Sequence, residues 1–338
     1  MRKNISAATL ASTYNISHKR AIADGRYTAA TLLICSLIFW GAGAFFGIGV
    51  ASVHASEWVD SQIDTVNTML LRVAALVLYL FSAMLSGSYM VPEHRATWQP
   101  VVMLWEISTT FGIQCEAVAA FTLLLFVVAV WLLYRIDEVA DVRHQLYTVF
   151  AIVATYTLLF PQFLLLLPFL FIYPTMCSKL NIRTFSAALL GMVTPLWVVG
   201  ALLYLFPQLQ PLFDGFKEHL SSFLQAPRVV VTPSMIVRLC AETAITIPAM
   251  VHFDVTATVG RIYLRRRMIF GMLLYVVLWL AGWLQPQLYT LLFIWRLPMI
   301  AMLAAYIFPA LPVKTSNIYM LSTLLLWAVS AIIELWFG

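Results

Sequence analysis

From Thr28 onward the chain is a succession of apolar runs separated by short polar gaps. A helix crosses about 30 Å of hydrocarbon with roughly 20 residues. Runs of that kind occur at Thr28–Val50, Leu70–Val91, Ala117–Tyr134, Thr184–Phe206, Met268–Leu284, Leu288–Phe308 and Asn317–Trp336. Val229–Phe253 is a weaker span because it carries Arg238 and Glu242. Trp98–Phe111 is apolar but short, and Glu106 interrupts it. Tyr147–Tyr173 is too long for one crossing and is cut by Pro161 and Pro168. A turn at Pro161-Gln162 leaves a half of about 14 residues, roughly 21 Å long. Such a half fits a hairpin lodged among other helices, where irregular backbone is sheltered from lipid.

The basic residues gather at every second gap. The leader holds Arg2, Lys3, Lys19, Arg20 and Arg26; later come Arg95, Arg135 with Arg143, Lys179 with Arg183, Arg261 with Arg265-Arg266-Arg267, and Lys314. If Trp98–Phe111 and both halves around Pro161 each cross, all of these fall on one side, and only Lys217 and Arg228 fall in a loop on the other. That is the positive-inside pattern. It predicts an all-α polytopic membrane bundle of about eleven segments, with the N-terminus inside and the C-terminus outside. One long helix over Tyr147–Tyr173 would put Arg265–Arg267 outside, so the broken form is preferred. Residues 1–27 read as a polar cytoplasmic leader and 28–338 as a single transmembrane domain. Within it Leu209, Leu212, Phe213, Phe216, Leu220, Phe223 and Leu224 recur at helical spacing. The stretch 209–225 is therefore expected to lie flat on the outer surface.

Composition agrees with this class. Hydrophobic residues make up 62% of the 338 and charged residues 10%, against roughly 25% charged in soluble domains. The net charge of +5 is spread between apolar runs, which reads as a topology signal rather than a nucleic-acid face. Cys35, Cys115, Cys177 and Cys240 show no CxxC spacing, so no disulfide framework or metal site is expected. No secretory cleavage pattern follows the first run. The chain has no P-loop, GxGxxG, HExxH or GxSxG motif, and no cofactor is expected.

Charges inside apolar runs are the chemically informative residues. Each costs about 2.5–3.5 kcal/mol at a bilayer centre on insertion scales. Arg238 and Glu242 stand four apart, share a helix face and could pair. Arg296 lies mid-run, before Pro298, and a helix break there would free backbone groups beside a forked donor suited to anions. Arg238, Glu242 and Arg296 are the candidate substrate-binding residues. His252 and Asp254 are weaker candidates for handling protons, after Pro248. Arg72 and Glu334 fall near span ends and are expected at the interface.

The first outer loop carries Glu57, Asp60 and Asp64, with His54 and Trp58 beside them. The stretch His54-Ala-Ser-Glu57-Trp58-Val59-Asp60 resembles the acidic first outer loop of membrane glycosyltransferases that use polyprenyl-phosphate sugars. That resemblance implies a catalytic role for Glu57, Asp60 and Asp64. It covers under a tenth of the chain, and the family's long outer loops are missing. Pro-Gln recurs at Pro161, Pro207 and Pro286, as in PQ-loop carriers, but at unequal spacings that suit helix stops.

Short Pro-interrupted segments together with intramembrane Arg and Glu point to a midplane binding site. The leading expectation is a carrier or flippase-like protein for a small or lipid-linked anionic solute in the inner membrane of a bacterial cell. Arg238 and Arg296 would recognise the anion and Glu242 would neutralise it or couple protons. The alternatives are a polyprenyl-linked glycan enzyme and a non-catalytic assembly protein. The expected partners are the lipid bilayer and such a solute, with no nucleic acid, and the sequence leaves the oligomeric state open.

Overall fold

The computed structural model describes residues 26–45, 68–89, 98–110, 113–114, 117–159, 166–206, 233–256, 262–284, 289–311 and 313–337. The described residues fold into helices and contain no strand. In chain order these are α1 (Arg26–Phe45), α2 (Thr68–Tyr89), α3 (Trp98–Ser108), α4 (Ala117–Tyr134), α5 (Arg143–Leu159), α6 (Leu167–Leu170), α7 (Ile172–Met176), α8 (Ile182–Leu205), α9 (Pro233–Thr256), α10 (Ile262–Leu284), α11 (Tyr289–Ala310) and α12 (Val313–Phe337). A short 3₁₀ turn, Arg135–Asp137, continues α4. Within them Ala119–Asp137, Ile182–Leu205, Pro233–Phe253 and Lys314–Glu334 are long and apolar enough to cross a membrane, by length and composition.

Two helices form the centre. In α11 every residue from Leu292 to Ala305 is buried, and in α3 all are buried except Pro100. A helix apolar on all sides needs neighbours on all sides. Accordingly α11 packs on α2, α3, α4, α9, α10 and α12, and α3 on α1, α2 and α11. Phe126 of α4 stacks on Trp295 of α11 with ring centroids 4.7 Å apart.

The outer helices reverse the polarity of a water-soluble protein. Ile318, Leu321, Leu325, Ile332 and Trp336 form an exposed apolar stripe on α12, while Ser316, Thr323 and Ser330 are buried. On α9, Ile236, Ile247 and Val251 are exposed, while Arg238, Glu242 and Thr246 face inward. Apolar surface outside and polar groups inside is the arrangement a lipid solvent favours.

Helix α8 leans on α5 alone among its stronger contacts. Its buried stripe is Thr184, Ala188 and Gly191, small residues at i, i+4 and i+7 that let two backbones approach closely. A Cβ on Gly191 would sit 2.3 Å from the Tyr147 carbonyl oxygen. Tyr147 Oη also lies 3.1 Å from Thr194 Oγ1. The N-terminus of α8 is held by a capping box. Asn181 Oδ1 accepts from the Arg183 and Thr184 amides at 3.0 Å each, and the Asn181 amide donates to Thr184 Oγ1 at 2.8 Å.

The stretch after Arg143 does not form one long helix: α5 stops at Leu159, and the short α6 and α7 follow. Tyr173 at the end of this excursion donates to Asp137 Oδ2 at 2.8 Å, so the chain returns to the end from which it left. Ser178, at φ 55°, then closes α7 in a Schellman turn: the Lys179 amide bonds the Pro174 carbonyl and the Ser178 amide that of Thr175.

Pro298 brings a correction. The expected helix break is absent, because α11 runs continuously from Tyr289 to Ala310. Neighbours on every side hold the helix through the proline, as packing does in buried apolar helices. Pro248 likewise lies inside α9. Residues 1–25 of the leader, Glu57, Asp60, Asp64 and the 209–225 stretch lie outside the described residues, while Arg26 and Tyr27 already belong to α1.

Candidate functional site

Helices α3, α9, α11 and α12 bring charge into the interior of the bundle. Glu242 is about 14 Å along α9 and Arg296 about 11 Å along α11, at 1.5 Å per residue. Arg296 Nη1 is 3.3 Å from Glu242 Oε2, with side chains 1% and 0% exposed. Tyr275 of α10 donates to the same carboxylate oxygen at 3.2 Å. The Arg296 guanidinium also lies 5.5 Å from the centre of the Phe293 ring, where a ring face attracts a cation.

Arg238 does not pair with Glu242, although it shares the helix face. It donates to Ser330 Oγ at 2.9 Å and forms an ion pair with Glu334, both on α12. Glu334 therefore reaches inward instead of sitting at the interface, and its side chain is only 19% exposed. Arg72 is buried as well. Phe293 lies beneath both cations, since Arg238 is 5.7 Å from its ring centre. The two arginines thus bracket one aromatic ring, each held by a carboxylate from a different helix.

A third carboxylate joins them. Glu106 of α3 is fully buried and within electrostatic range of Glu242. Among the described residues neither of its carboxylate oxygens has a hydrogen-bond partner. Tyr275, Glu334 and Glu106 were not singled out as site residues from the sequence. Glu106 carried the available signal: an acid inside an apolar run, the criterion that drew attention to Glu242.

His252 packs edge-on against Tyr306 of α11, with centroids 5.8 Å apart. Asp254 belongs to α9, but its side chain lies outside the described residues. No cluster of three or more His, Cys, Asp or Glu suited to a metal ion occurs among the described residues.

A separate charged cluster ties one end of the bundle together. Arg267 bonds the Tyr134 carbonyl at 3.0 Å and Glu138 Oε1 at 2.8 Å, and Arg266 lies 3.4 Å from Asp137. Nearby, Asp141 accepts from the Arg143 side chain and amide, which holds its carboxyl well below the usual carboxylate range. Cys177 is buried in this region, and burial, followed by a hydrogen bond involving Asp137, pushes its thiol up to about 12.

No family model, curated protein or solved structure matches this chain. The reading of the site therefore rests on its own chemistry.

Proposed function

We propose that the chain is a polytopic carrier or flippase-like protein for a small or lipid-linked anionic solute, and that its binding site is built on Arg296, Glu242 and Arg238. The observation that carries this reading is the Arg296–Glu242 pair at 3.3 Å with side-chain exposures of 1% and 0%. Desolvating two charges costs several kcal/mol per ion in real proteins. A pair of apolar residues would fill the same space more cheaply. Intramembrane charges that face a bundle interior are characteristic of solute and ion paths.

In this mechanism the carboxylates hold the guanidinium groups while no solute is bound. An entering anion competes with Glu242 for Arg296, and Tyr275 keeps a donor on the displaced carboxylate. The displaced Glu242 stays buried, so it takes up a proton as the anion binds Arg296; the buried charges then remain two, and the barrier to loading is lower than for an unpaired arginine. Phe293 supplies a face on which both cations rest during the exchange.

In this reading the bundle has about eleven segments in the inner membrane of a bacterial cell, with the N-terminus inside. Support comes from the basic clusters. Arg266 and Arg267 meet the Asp137–Glu138 turn, so the Arg135–Arg143 and Arg265–Arg267 groups share one end, as positive-inside topology requires.

The test is uptake by vesicles containing the purified protein, loaded with candidate phosphorylated and carboxylated solutes. Wild type moves one class faster than empty vesicles, and Arg296→Leu with Glu242→Leu does not. Equal transport by both would overturn the proposal.

A further inference from the structure

We propose that Glu106 is the binding site of one exchangeable monovalent cation, a proton or a sodium ion, at the centre of the bundle. The two ions are alternative sources of the same single charge. The assignment to a transport cycle rests on the carrier reading, while the site itself does not.

The charge pattern leads to it. Arg296 is held against Glu242 and Arg238 against Glu334. Glu106 is the remaining acid of the group, 0% exposed, with no hydrogen-bond donor at either oxygen among the described residues. An isolated buried carboxylate is among the most costly groups a protein can hold, and it is relieved by taking up a positive charge.

The surroundings supply acceptors in excess. Helix α3 is 11 residues long, about 17 Å at 1.5 Å per residue, and its C-terminal end is buried. Ser108, Thr109, Thr110 and Gln114 are all 3% exposed or less. Thr110 Oγ1 donates to the Glu106 carbonyl at 2.9 Å and the Gln114 amide nitrogen to the Ser108 carbonyl at 2.8 Å. After these bonds Gln114 Oε1 and Glu242 Oε1 remain buried without donors among the described residues. A helix C-terminus carries partial negative charge, and buried half-helix ends of this kind coordinate coupling ions in transporters. Glu106 thus sits near the buried C-terminal end of α3, where the Gln114 amide oxygen lacks a donor among the described residues, and within electrostatic range of Glu242.

Among the described side chains, the ionisable groups on the helices packed against α3 are Cys35 of α1, Arg72 and Tyr79 of α2, and Arg296 and Tyr306 of α11, with Glu242 of α9 within electrostatic range of Glu106. Tyr79 is committed to the Ile113 carbonyl and Arg296 to Glu242.

Thermal unfolding of the full-length protein in detergent tests the site without a transported solute. One series varies pH with no sodium present; the other varies sodium against N-methyl-glucamine at fixed pH. Wild type should gain about 3 °C or more in one series, as a ligand binding only the folded state does, and the series that responds identifies the ion. Glu106→Gln should be flat in that series. A wild type flat in both, or Glu106→Gln responding like wild type, would overturn the proposal. Should the variant not fold, dicyclohexylcarbodiimide on wild type gives a second reading. The adduct is expected on Glu106, with protection by sodium or by high pH; labelling elsewhere, or none, would overturn the site. Because neither readout uses solute movement, failure of the carrier reading and failure of this site are distinguishable.

Discussion

Arg238 and Glu242 stand one turn apart on α9, yet each is paired to a different helix: Arg238 to Glu334 of α12 and Glu242 to Arg296 of α11. Two crossed pairs thus tie α9 to both neighbours. The sequence spacing suggests a pair within α9, but the helices around it offer counter-charges from the directions in which the side chains point.

The Arg296–Glu242 pair predicts strong non-additivity. Glu242→Gln or Arg296→Leu alone leaves one buried charge uncompensated and should cost about 3–5 kcal/mol. The double variant Arg296→Leu with Glu242→Leu should recover most of that loss, since apolar replacement of a buried pair is often neutral or better. Chemical unfolding in detergent checks this. Additive losses would show that the two side chains do not interact.

The outer pair should behave as a weaker version. Arg238→Met, Glu334→Gln and their combination should give a coupling energy of about 1–3 kcal/mol in a double-mutant cycle. Glu334 retains some exposure, which places the value below that of the deeper pair.

Gly191 and Gly200 lie on the same helix and predict opposite outcomes. Leucine at Gly191 must displace the Tyr147 backbone and should cost about 1–3 kcal/mol or more. Leucine at Gly200, where a Cβ meets nothing within 4 Å, should be neutral or slightly stabilising through helix propensity. Thermal unfolding of the two variants is the check.

Cys177 should resist alkylation. Its thiol is buried and pushed up to about 12, so the reactive thiolate is scarce at neutral pH. N-ethylmaleimide at pH 7 should leave it unmodified until the protein is unfolded, and its labelling should rise only as pH approaches that value. Rapid modification of folded protein at pH 7 would contradict the packing around Asp137.

The helices were legible because hydrophobic length is a local property. Ala117–Tyr134 has the same bounds in sequence and structure, and the break within Tyr147–Tyr173 follows from its prolines and length. Pairing was not legible, because Arg238 meets Glu334 across 96 positions of chain. Tyr275 gave no signal, being one aromatic residue among many in an apolar run. Pro298 misled, because a proline that would break an exposed helix is tolerated in one packed on all sides. Glu106 carries the same sequence signal as Glu242, an acid inside an apolar run, but on a segment too short to read as a full span.

Native mass spectrometry of wild type and the Arg296→Leu, Glu242→Leu double variant, both extracted from their own membrane in mild detergent, tests the central claim most directly. The account predicts an anionic small or lipid-linked species retained by wild type and missing from the folded double variant. The same bound species on both proteins, or none on either, would contradict an anion site at Arg296.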